Sequence, residues 1–303
     1  MTKMTKLQED ISRLLAGVTL SFYEPMAKHT SFRIGGPAEV MVFPENGEQL
    51  AQILKVSKLL DITPAILGAG TNILAPDAGI PGLVICLKDG LGSIEQIDET
   101  HIRVDAGVSM TKAAVFAANA GLSGLEFAHG IPGSVGGGVY MNAGAYGGEI
   151  KDVCVAVTVM TMEGETVTLT AEQMGFSYRH SRLEEEQGIV LSAVFALEKK
   201  PCDEIRALMQ ELAGKRKASQ PLDKPSAGSA FKRPVGGYAA ALIDQAGLKG
   251  YQVGGAAISE KHAGFAVNLG GATAEDVKTL LQNVSDIVFQ KSGIRLEPEV
   301  RIW

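Results

Sequence analysis

Three residues have side chains that can bind an anion or move a proton, and each also has an ordinary alternative. Arg179, between Tyr178 and His180, carries a permanently charged planar fork that fits a carboxylate, or it forms a surface ion pair. Ser229 stands in AGSAF, where small neighbours would expose its hydroxyl, or it is a helix cap or an ordinary loop serine. Glu299, in EPEVRI, is placed on a predicted strand, where a lone carboxylate usually faces solvent. The residue types alone leave both interpretations open.

Two glycine-rich segments offer a second kind of chemistry, in which backbone N–H groups hold a phosphate. LGAGTN (67–72) directly follows a predicted buried strand, and tight turns of this kind can cradle an anion. It is not the dinucleotide fingerprint, because Ile73 takes the third glycine position and no helical pattern follows. GIPGSVGG (130–137) adds the hydroxyl of Ser134. Each segment alone fits a loop with tight turns, but two turns converging on one pyrophosphate would explain why neither contains Lys or Arg.

The stretch 129–150 is unusually rich in glycine, with eight glycines in 22 residues. Glycine costs roughly 0.5–1 kcal/mol relative to alanine in regular structure. A run this dense therefore indicates positive φ angles or backbone that something approaches closely.

Composition and charge limit the function. The chain has 303 residues, enough for about two domains, and 46% of them are hydrophobic, as in ordinary globular proteins. The 28 Lys and Arg against 34 Asp and Glu give a net charge of -6, which argues against a generic nucleic-acid surface. An anionic ligand would have to be bound by a local pocket.

The cysteines and the N-terminus favour a cytoplasmic protein. Cys86, Cys154 and Cys202 form no CxxC pair, so we interpret them as reduced packing residues rather than metal ligands or disulfides. The first residues carry charges where a signal peptide needs an apolar core, and Leu7 and Ile11 at helical spacing predict an amphipathic helix. No apolar run approaches the ~18 residues of a membrane span, and no His/Cys/Asp cluster has metal-ligand spacing.

Helices and strands alternate in the predicted elements. Pro44 and Asn46 open a helix that precedes the buried strand of PAILGAG, which gives a β-α-β beginning. Strands at 82–87, 93–98 and 101–107 follow, and Ser109 caps a helix. A hairpin turning at Glu163–Gly164 and a strand at 188–197 come next.

The pattern changes near Glu198, where we predict a domain boundary. A helix starting at 201–203 leads through GKRK to the Pro-rich connection 221–225. The helix YAAALIDQAG, the strand AGFAVNLG, a helix over 273–292 closed by Gly293 and the final strand IRLEPEVRIW complete the chain.

Eight motifs occur in the order typical of the UDP-N-acetylenolpyruvoylglucosamine reductase family, which the chain resembles from about residue 28 to its C-terminus. Their order is far more specific than any one motif. They are SFRIGGPA (31–38), LGAGTN (67–72), GIPGSVGG (130–137), NAGAYGGEI (142–150), YRHS (178–181), GSAFKRP (228–234), HAGFAVN (262–268) and the terminal EPEVRI.

The resemblance implies an α+β fold. A two-lobed FAD-binding domain of the vanillyl-alcohol-oxidase type (28–197, split near 92) would follow an amphipathic helix and lead-in (1–27). A C-terminal α+β substrate-binding domain (198–303) would return its final strand to the active site. The glycines would wrap the pyrophosphate of a non-covalently bound FAD lying between the lobes, and leave the isoalloxazine face clear.

The resemblance also implies an activity in peptidoglycan precursor synthesis. NADPH would reduce FAD, and the hydride of reduced FAD would convert the enolpyruvyl group of UDP-N-acetylenolpyruvoylglucosamine to the lactyl ether of UDP-N-acetylmuramate. At the matching positions, Arg179 would polarise the enolpyruvyl group, Ser229 would donate the proton, and Glu299 would stabilise the enolate within a proton network.

Further residues are assigned by the same resemblance. Cofactor binding falls to Gly68, Ala69, Gly70, Thr71, Asn72, Ile131, Pro132, Gly133, Ser134, Gly136, Gly137, Asn142, Ala143, Gly144, Ile189 and Arg216, and substrate binding to Tyr178, Lys232, Arg233 and His262.

The chain departs from one branch of the family. That branch inserts a loop with a tyrosine that closes over the sugar nucleotide, whereas here no tyrosine lies between Tyr178 and Tyr238, so the chain resembles the shorter, second type. Arg233 stands where the other branch has a neutral amide. Uridine and diphosphate contacts would therefore be built differently, with Arg233, Lys232 and Tyr178 as candidates.

Two other functions remain open. A flavin oxidase of the same fold would use oxygen and often tether FAD through a histidine, and a non-catalytic sugar-nucleotide-binding protein would be colourless. His129 and His262, beside glycine motifs, are also typical of hydrogen-bonded structural histidines. We expect a monomer or weak homo-oligomer with a small-molecule substrate, and no nucleic acid, membrane insertion or metal.

Overall fold

The structure is a computed structural model that describes residues 4–88 and 90–303. Within these residues helices and strands are mixed throughout. The α-helices are Lys6–Leu14, Gly47–Leu59, Met110–Asn119, Val135–Tyr140, Leu183–Glu186, Cys202–Ser219, Ala239–Gln245 and Ala274–Ser292, and short 3-10 helices lie at Met26–Lys28, Glu126–Ala128 and Ile150–Asp152. The strands are Thr19–Pro25, Pro37–Phe43, Ala65–Leu67, Ile73–Leu74, Ile80–Cys86, Ile94–Gln96, His101–Asp105, Leu122–Ser123, Gly144–Ala145, Gly148–Glu149, Cys154–Met160, Thr166–Thr170, Ile189–Ala196, Glu198–Lys199, Gln252–Val253, Ala256–Ile258, Ala266–Asn268 and Arg301–Ile302.

The chain divides into two compact units. The first comprises the described residues up to Phe22 with Val40–Ala69 and Gly82–Lys215, and the second comprises Tyr23–Glu39, Gly70–Pro81 and Arg216–Trp303. This division differs from the predicted domain limits, because residues 23–39 and 70–81 pack with the C-terminal segment although they lie early in the chain. The predicted limits of the family's domains stay a prediction.

The first unit contains two hydrophobic cores. One lies under a five-stranded sheet in the order Thr166–Thr170, Cys154–Met160, Ile189–Ala196, His101–Asp105, Ile94–Gln96, whose pairings are all antiparallel. The helix Met110–Asn119 packs its alanines into this core. The other core is built on the helix Gly47–Leu59 and the strand Ile80–Cys86. Leu91, partly buried, packs against both cores, close to the predicted split near residue 92.

A four-stranded sheet has the order Thr19–Pro25, Pro37–Phe43, Ile80–Cys86, Ala65–Leu67. Its last two strands run parallel, with Leu67 opposite Cys86. Side chains on this parallel pair are largely buried, which fits the continuous apolar letters of both strands.

The second unit has a core of its own. A small antiparallel sheet, Gln252–Val253, Ala256–Ile258 and Ala266–Asn268, packs with the long helix Ala274–Ser292. The buried Phe32 and Ile34 join this core, which explains why the early segment 23–39 belongs to this unit.

The predicted helix boundaries at Asn46, Ser109, Thr273 and Gly293 are confirmed. The side chains of Asn46, Ser109 and Thr273 each accept a backbone N–H at the start of their helix. Gly293 ends the last helix with φ 73°. The predicted hairpin at Glu163–Gly164 is confirmed by the pairing of Val159 with Val167.

Two elements differ from the predictions. The final strand is shorter than expected and is formed only by Arg301–Ile302, parallel to Ile73–Leu74, while Pro298 before it pairs with Phe231 in an isolated antiparallel bridge. The helix Val135–Tyr140 is missed by the sequence pattern, since three of its six residues are glycine. Among residues 4–88 and 90–303, no helix is long and apolar enough to cross a membrane.

Candidate functional site

The first glycine segment is a loop with unused backbone donors. It leaves the strand Ala65–Leu67, and the division between the two units falls within it, after Ala69. No hydrogen bond inside the described chain engages the consecutive N–H groups of residues 68–72. Such a run of free amide donors is suited to an anionic oxygen-rich ligand.

Gly68 lies against the second glycine segment. A methyl group built on Gly68 would approach the Ser134 hydroxyl oxygen to 3.1 Å. Ser134 is buried and begins the helix Val135–Tyr140, where its Oγ accepts the N–H of Gly137 at 3.4 Å. The two segments that the sequence analysis paired are thus neighbours in the structure.

The second segment offers fewer free donors than its sequence indicates. The N–H groups of Gly130, Ile131, Val135 and Gly136 bond to the Thr111 hydroxyl and to the carbonyls of Ala128, Val108 and Ala106 respectively. Pro132 has no N–H. Within the described residues, no hydrogen bond engages the N–H groups of Gly133 and Ser134. A phosphate at this segment would therefore meet Gly133, whose φ is 140°, and Ser134.

Much of the glycine density serves the protein's own packing. A methyl group on Gly136 would lie 2.8 Å from the Ala106 side chain, and one on Gly138 would lie 2.7 Å from the Met110 sulfur. Glycine lets the helix Val135–Tyr140 approach the segment 106–110 closely, which a larger residue would prevent. Thr111, which orients Gly130, had no local signal in the sequence because its role depends on this tertiary contact.

Asn142, Ala143 and Gly144 are engaged inside the protein. The N–H groups of Asn142 and Ala143 donate to the carbonyls of Val139 and Gly138. The fully buried Asn142 amide donates to the Glu149 carboxylate at 2.8 Å and the Ser177 carbonyl at 2.9 Å. These groups contact other residues of the chain, so a cofactor would meet this segment through other atoms.

Arg179 stands at the tip of a tight turn. Ser177 and His180 exchange both backbone hydrogen bonds across the turn, at 3.1 and 3.2 Å, and Arg179 has a left-handed φ of 55°. Its guanidinium donates to the Gly144 carbonyl at 3.1 Å and lies 5.1 Å from the ring centre of Tyr178, which is 44% exposed. A left-handed conformation is uncommon at a non-glycine residue, and here it belongs to the tight turn that carries Arg179.

Two residues assigned to the cofactor lie deep in the fold. Ile189 begins a central strand opposite Met160, and its side chain belongs to the core of the Gly47–Leu59 helix. Arg216 is 7% exposed on the helix Cys202–Ser219 and donates to Gln220 at 3.4 Å.

Ser229 and Glu299 are brought together in the second unit. Ser229 pairs with Phe265, and the next residue, Ala230, accepts the N–H of Glu299 at 2.9 Å. Ser229 is exposed and Glu299 half-buried. The Asn72 amide donates to the Glu299 carbonyl at 3.1 Å, so the end of the first glycine segment also reaches this site. Arg179 belongs to the first unit.

The assigned substrate residues of the second unit surround the same segment. The backbone N–H of Lys232 donates to the Glu297 carbonyl, and the Lys232 Nζ lies 3.5 Å from the Glu297 carboxylate. Arg233 stacks on Tyr238 at 4.6 Å. His262 precedes Gly264, whose carbonyl accepts the N–H of Ala230.

His262 is held as a neutral donor. Its Nδ1 accepts the N–H of Gly264 at 3.1 Å, which places the proton of the neutral ring on Nε2. Burial lowers the pKa of His262, and the nearby Lys249 lowers it further, against an opposing backbone hydrogen bond.

Neither a reactive Cys154 thiol nor a group of metal ligands is found in the described residues. All three cysteines are free, and burial raises the pKa of the Cys154 thiol to about 12, so that sulfur is not a nucleophile at neutral pH. Within residues 4–88 and 90–303, no group of three or more His, Cys, Asp or Glu side chains can hold a metal ion.

The residues present fit the pyrophosphate of FAD. Free amide donors at Gly68 and Ala69 and at Gly133 and Ser134 are contributed by two segments of the first unit that meet at Gly68 and Ser134. Bare glycine backbone leaves room for a ligand at Gly68, where the Ser134 hydroxyl is the neighbour that an added methyl would meet. An anion held by amide dipoles needs no neighbouring Lys or Arg.

Comparisons with known proteins agree with this geometry. A family model described as "FAD binding domain" matches residues 38–170, and one described as "UDP-N-acetylenolpyruvoylglucosamine reductase, C-terminal domain" matches residues 220–303. Together with the mixed helices and strands they confirm the predicted α+β fold, in which an FAD-binding domain precedes the C-terminal domain of this reductase family.

Individual relatives cover nearly the whole chain. The UDP-N-acetylenolpyruvoylglucosamine reductase of Agathobacter rectalis is 50% identical over 290 residues, 92% of either protein. The reductase of Latilactobacillus sakei is 47% identical over 281 residues, 92% of this chain and 91% of that protein. The crystal structure of the Thermus caldophilus reductase has a TM-score of 0.79 at 38% identity and covers 94% of this chain and 98% of its own. This chain therefore belongs to the UDP-N-acetylenolpyruvoylglucosamine reductase family.

Proposed function

We propose that the protein is an FAD-containing, NADPH-dependent oxidoreductase that reduces UDP-N-acetylenolpyruvoylglucosamine to UDP-N-acetylmuramate in peptidoglycan precursor synthesis. The observation that carries this proposal is the meeting of Gly68 and Ser134 in a chain of this family. This contact brings together two segments with free amide donors, which is the arrangement that would hold the pyrophosphate of a dinucleotide cofactor.

The chain's own groups would hold the FAD without a covalent link. The N–H groups of Gly68 and Ala69, with those of Gly133 and Ser134, would hold the pyrophosphate, and Gly70, Thr71, Asn72 and Arg216 stay assigned to the cofactor by the family resemblance. FAD, when bound, supplies the redox chemistry that carries a hydride from NADPH to the enolpyruvyl group. Glycine at 68 would keep side-chain atoms out of the pyrophosphate's place.

The substrate carboxylate is assigned to Arg179. Hydride addition to the terminal carbon of an enol ether conjugated to a carboxylate pushes negative charge onto the other alkene carbon and the carboxylate oxygens. A guanidinium fork can meet both oxygens and stabilises this charge most in the transition state. The turn between Ser177 and His180 holds the Arg179 backbone, and the guanidinium donates to the Gly144 carbonyl.

The proton is assigned to Ser229. Its side chain is exposed, as a donor to a ligand must be, and it lies in an extended segment bonded to Glu299 on one side and to Gly264 on the other. A serine hydroxyl is a weak acid, so it would protonate only a strongly basic carbanion carbon. Glu299 would take part in the proton network that restores the hydroxyl.

The UDP-sugar is assigned to the cationic and aromatic side chains beside these groups. Lys232 and Arg233 follow Ser229 in the same segment, and Tyr178 adjoins Arg179. His262 would donate from Nε2 as a neutral ring rather than as a cation. We further propose a cytoplasmic protein, which the three free cysteines support, and the monomer or weak homo-oligomer stays a prediction from the sequence.

One assay tests the function. The purified protein should be yellow, acid precipitation should release its flavin, and NADPH oxidation should require UDP-N-acetylenolpyruvoylglucosamine in the absence of air. The product should have gained one hydride and one proton. A colourless protein that rejects added FAD would contradict the proposal in favour of a binding protein. Equal NADPH oxidation with air alone would favour an oxidase.

A further inference from the structure

Asn142 is a fully buried polar residue whose side chain is completely used. Its Nδ2 donates to Glu149 Oε2 at 2.8 Å and to the Ser177 carbonyl at 2.9 Å, and its Oδ1 accepts the N–H of Lys151 at 3.0 Å. Both amide hydrogens are spent in these bonds. The Asn142 backbone is left-handed, with φ 43°, a conformation that asparagine tolerates better than most residues. The side chain therefore has no donor left for a cofactor.

The bond to Ser177 connects Asn142 to the turn that carries Arg179. Hydrogen bonds join this turn to residues 140–144. They include Asn142 Nδ2 to the Ser177 carbonyl at 2.9 Å, Ser181 Oγ to the Tyr140 carbonyl at 2.7 Å, and the Arg179 guanidinium to the Gly144 carbonyl at 3.1 Å. Ser181, like Asn142, has no exposed surface. Residues 140–144 of the glycine-rich segment thus hold the turn in position.

We propose that Asn142 is a positioning residue for Arg179 rather than a ligand of the cofactor. The Ser177 carbonyl is held by the buried amide, Ser177 closes the turn with His180, and the turn sets the direction in which Arg179 leaves the backbone. This inference rests on the proposed function, in which Arg179 meets the substrate carboxylate. The inference extends that function, because it names a residue that fixes the position of Arg179.

The effect on catalysis follows from geometry. A bidentate contact with a carboxylate loses most of its value when the guanidinium is displaced, and a misplacement of about 1 Å can lower a rate by about 10²-fold. Removal of the Asn142 side chain takes one donor each from the Glu149 carboxylate and the Ser177 carbonyl, and the turn loses a buried side-chain bond to residues 140–144.

The test uses two variants and a matched control. Asn142→Gly keeps the left-handed backbone and removes the amide, and the isosteric Asn142→Asp takes its place if the glycine variant does not fold. The control is Asn268→Asp. The Asn268 amide is also buried, donates to a backbone carbonyl, that of Phe32 at 3.0 Å, and accepts two backbone N–H groups, but it lies in the other unit.

Turnover with the sugar nucleotide should fall by about 10²-fold in Asn142→Gly, and the dissociation constant of FAD for the apoprotein, measured by flavin fluorescence, should change by less than about 2-fold. In an Arg179→Lys background, the Asn142→Gly change should cost less than about a further 2-fold. Asn268→Asp should change turnover by the same factor in the wild-type and the Arg179→Lys backgrounds. Trypsin should cleave the apoprotein after Arg179 faster in Asn142→Gly than in the wild type or the control.

Three results would overturn the inference. One is a loss of FAD affinity by Asn142→Gly that matches its loss of turnover, which would make it a cofactor ligand. Another is a loss of turnover by Asn142→Gly in the Arg179→Lys background that is as large as in the wild type. The third is a rate of trypsin cleavage after Arg179 that Asn142→Gly does not change. If Arg179→Lys itself retains wild-type turnover, the proposed role of Arg179 fails, but the cleavage rate still reports whether Asn142 holds the turn.

Discussion

The side-chain amide of Asn72 donates a hydrogen bond to the backbone carbonyl of Glu299, with Nδ2 and O 3.1 Å apart, although 227 residues separate them in the chain. The carbonyl of Asn72 in turn accepts the N–H of Arg301 at 3.0 Å. One residue of the first glycine segment therefore holds the C-terminal strand on both sides of Val300, which determines where Glu299 stands.

Asn72→Ala should lower turnover with the sugar nucleotide more than it lowers stability. The lost hydrogen bond costs about 0.5–1.5 kcal/mol in the free energy of unfolding, whereas a displaced Glu299 weakens the proton network that we assign to it. Urea unfolding and steady-state assays measure the two effects. Asn283→Ala, which removes an amide bond to the Tyr251 hydroxyl, is the control for an ordinary loss of stability. Equal turnover in the two variants would argue against this role for Asn72.

Gly68→Val should weaken FAD binding by at least about 10-fold while the apoprotein stays folded, because its Cβ atom would meet only the flexible Ser134 hydroxyl within the protein. Gly70 is an unsuitable site for this test. A methyl group there would collide with the His29 carbonyl, and φ is 63°, so a substitution would disturb the fold itself. Flavin fluorescence gives the affinity and thermal unfolding of the apoprotein gives the control. Unchanged affinity in Gly68→Val would move the pyrophosphate away from this turn.

The sequence patterns predict helix starts well where the side chain itself makes the cap. Asn46, Ser109 and Thr273 accept N–H groups within their own first turn, so the information is local. The helix after Ser134 is missed although Ser134 caps it, because Gly136 and Gly138 have poor helix propensity and are selected by contacts with Ala106 and Met110. Helix propensity is a property of single residues and does not include such tertiary contacts.

The same limit applies to the candidate site. Glycine spacing predicts that the two turns can bind a phosphate, and Gly68 does lie at Ser134. The spacing does not predict that Gly130 and Gly136 spend their N–H groups on Thr111 and Ala106, nor that Asn142 spends its amide on Ser177. Each of these bonds depends on a partner brought near by the fold.

His262→Gln should reduce the acid sensitivity of stability. Burial holds the pKa of folded His262 below its ordinary value of 6.5, so the unfolded chain binds more protons between those two pKa values. This residue's contribution to the free energy of unfolding is therefore complete above the ordinary pKa and is lost as pH falls toward the folded pKa. Urea unfolding of wild type and variant from neutral pH to about pH 5 measures the difference. A difference that does not change with pH would contradict the lowered pKa.

Arg179→Lys should bind FAD normally and lose turnover with the enolpyruvyl substrate by about 10²-fold or more, since lysine keeps the charge but not the two-pronged geometry. The control is Arg182→Lys in the same segment, where Arg182 pairs with Glu186 at 2.6 Å on the surface and should tolerate the change. Near-wild-type turnover in Arg179→Lys would show that this arginine is not the partner of the substrate carboxylate.

Ser229→Ala should separate the two halves of the reaction. Oxidation of NADPH with an artificial electron acceptor should stay nearly intact, because no proton is delivered to a substrate carbon in that assay. Turnover with UDP-N-acetylenolpyruvoylglucosamine should fall by about 10²–10⁴-fold, the range for removal of a positioned general acid. Ser226→Ala, which deletes a hydroxyl that accepts only a long 3.4 Å bond from Gly228, is the matched control.

The position of the proton gives an independent check on Ser229. A serine hydroxyl can act as an acid here only toward a strongly basic carbon. The negative charge that develops on that carbon must be shared by groups such as Arg179 and Glu299. In heavy water with ordinary NADPH, the wild-type product should carry one solvent deuteron at the carbon next to the carboxylate. Label at the methyl group would instead report exchange before hydride transfer. Substrate turnover of Ser229→Ala within about 10-fold of wild type would remove Ser229 from this role, because so small a loss lies below the general-acid range.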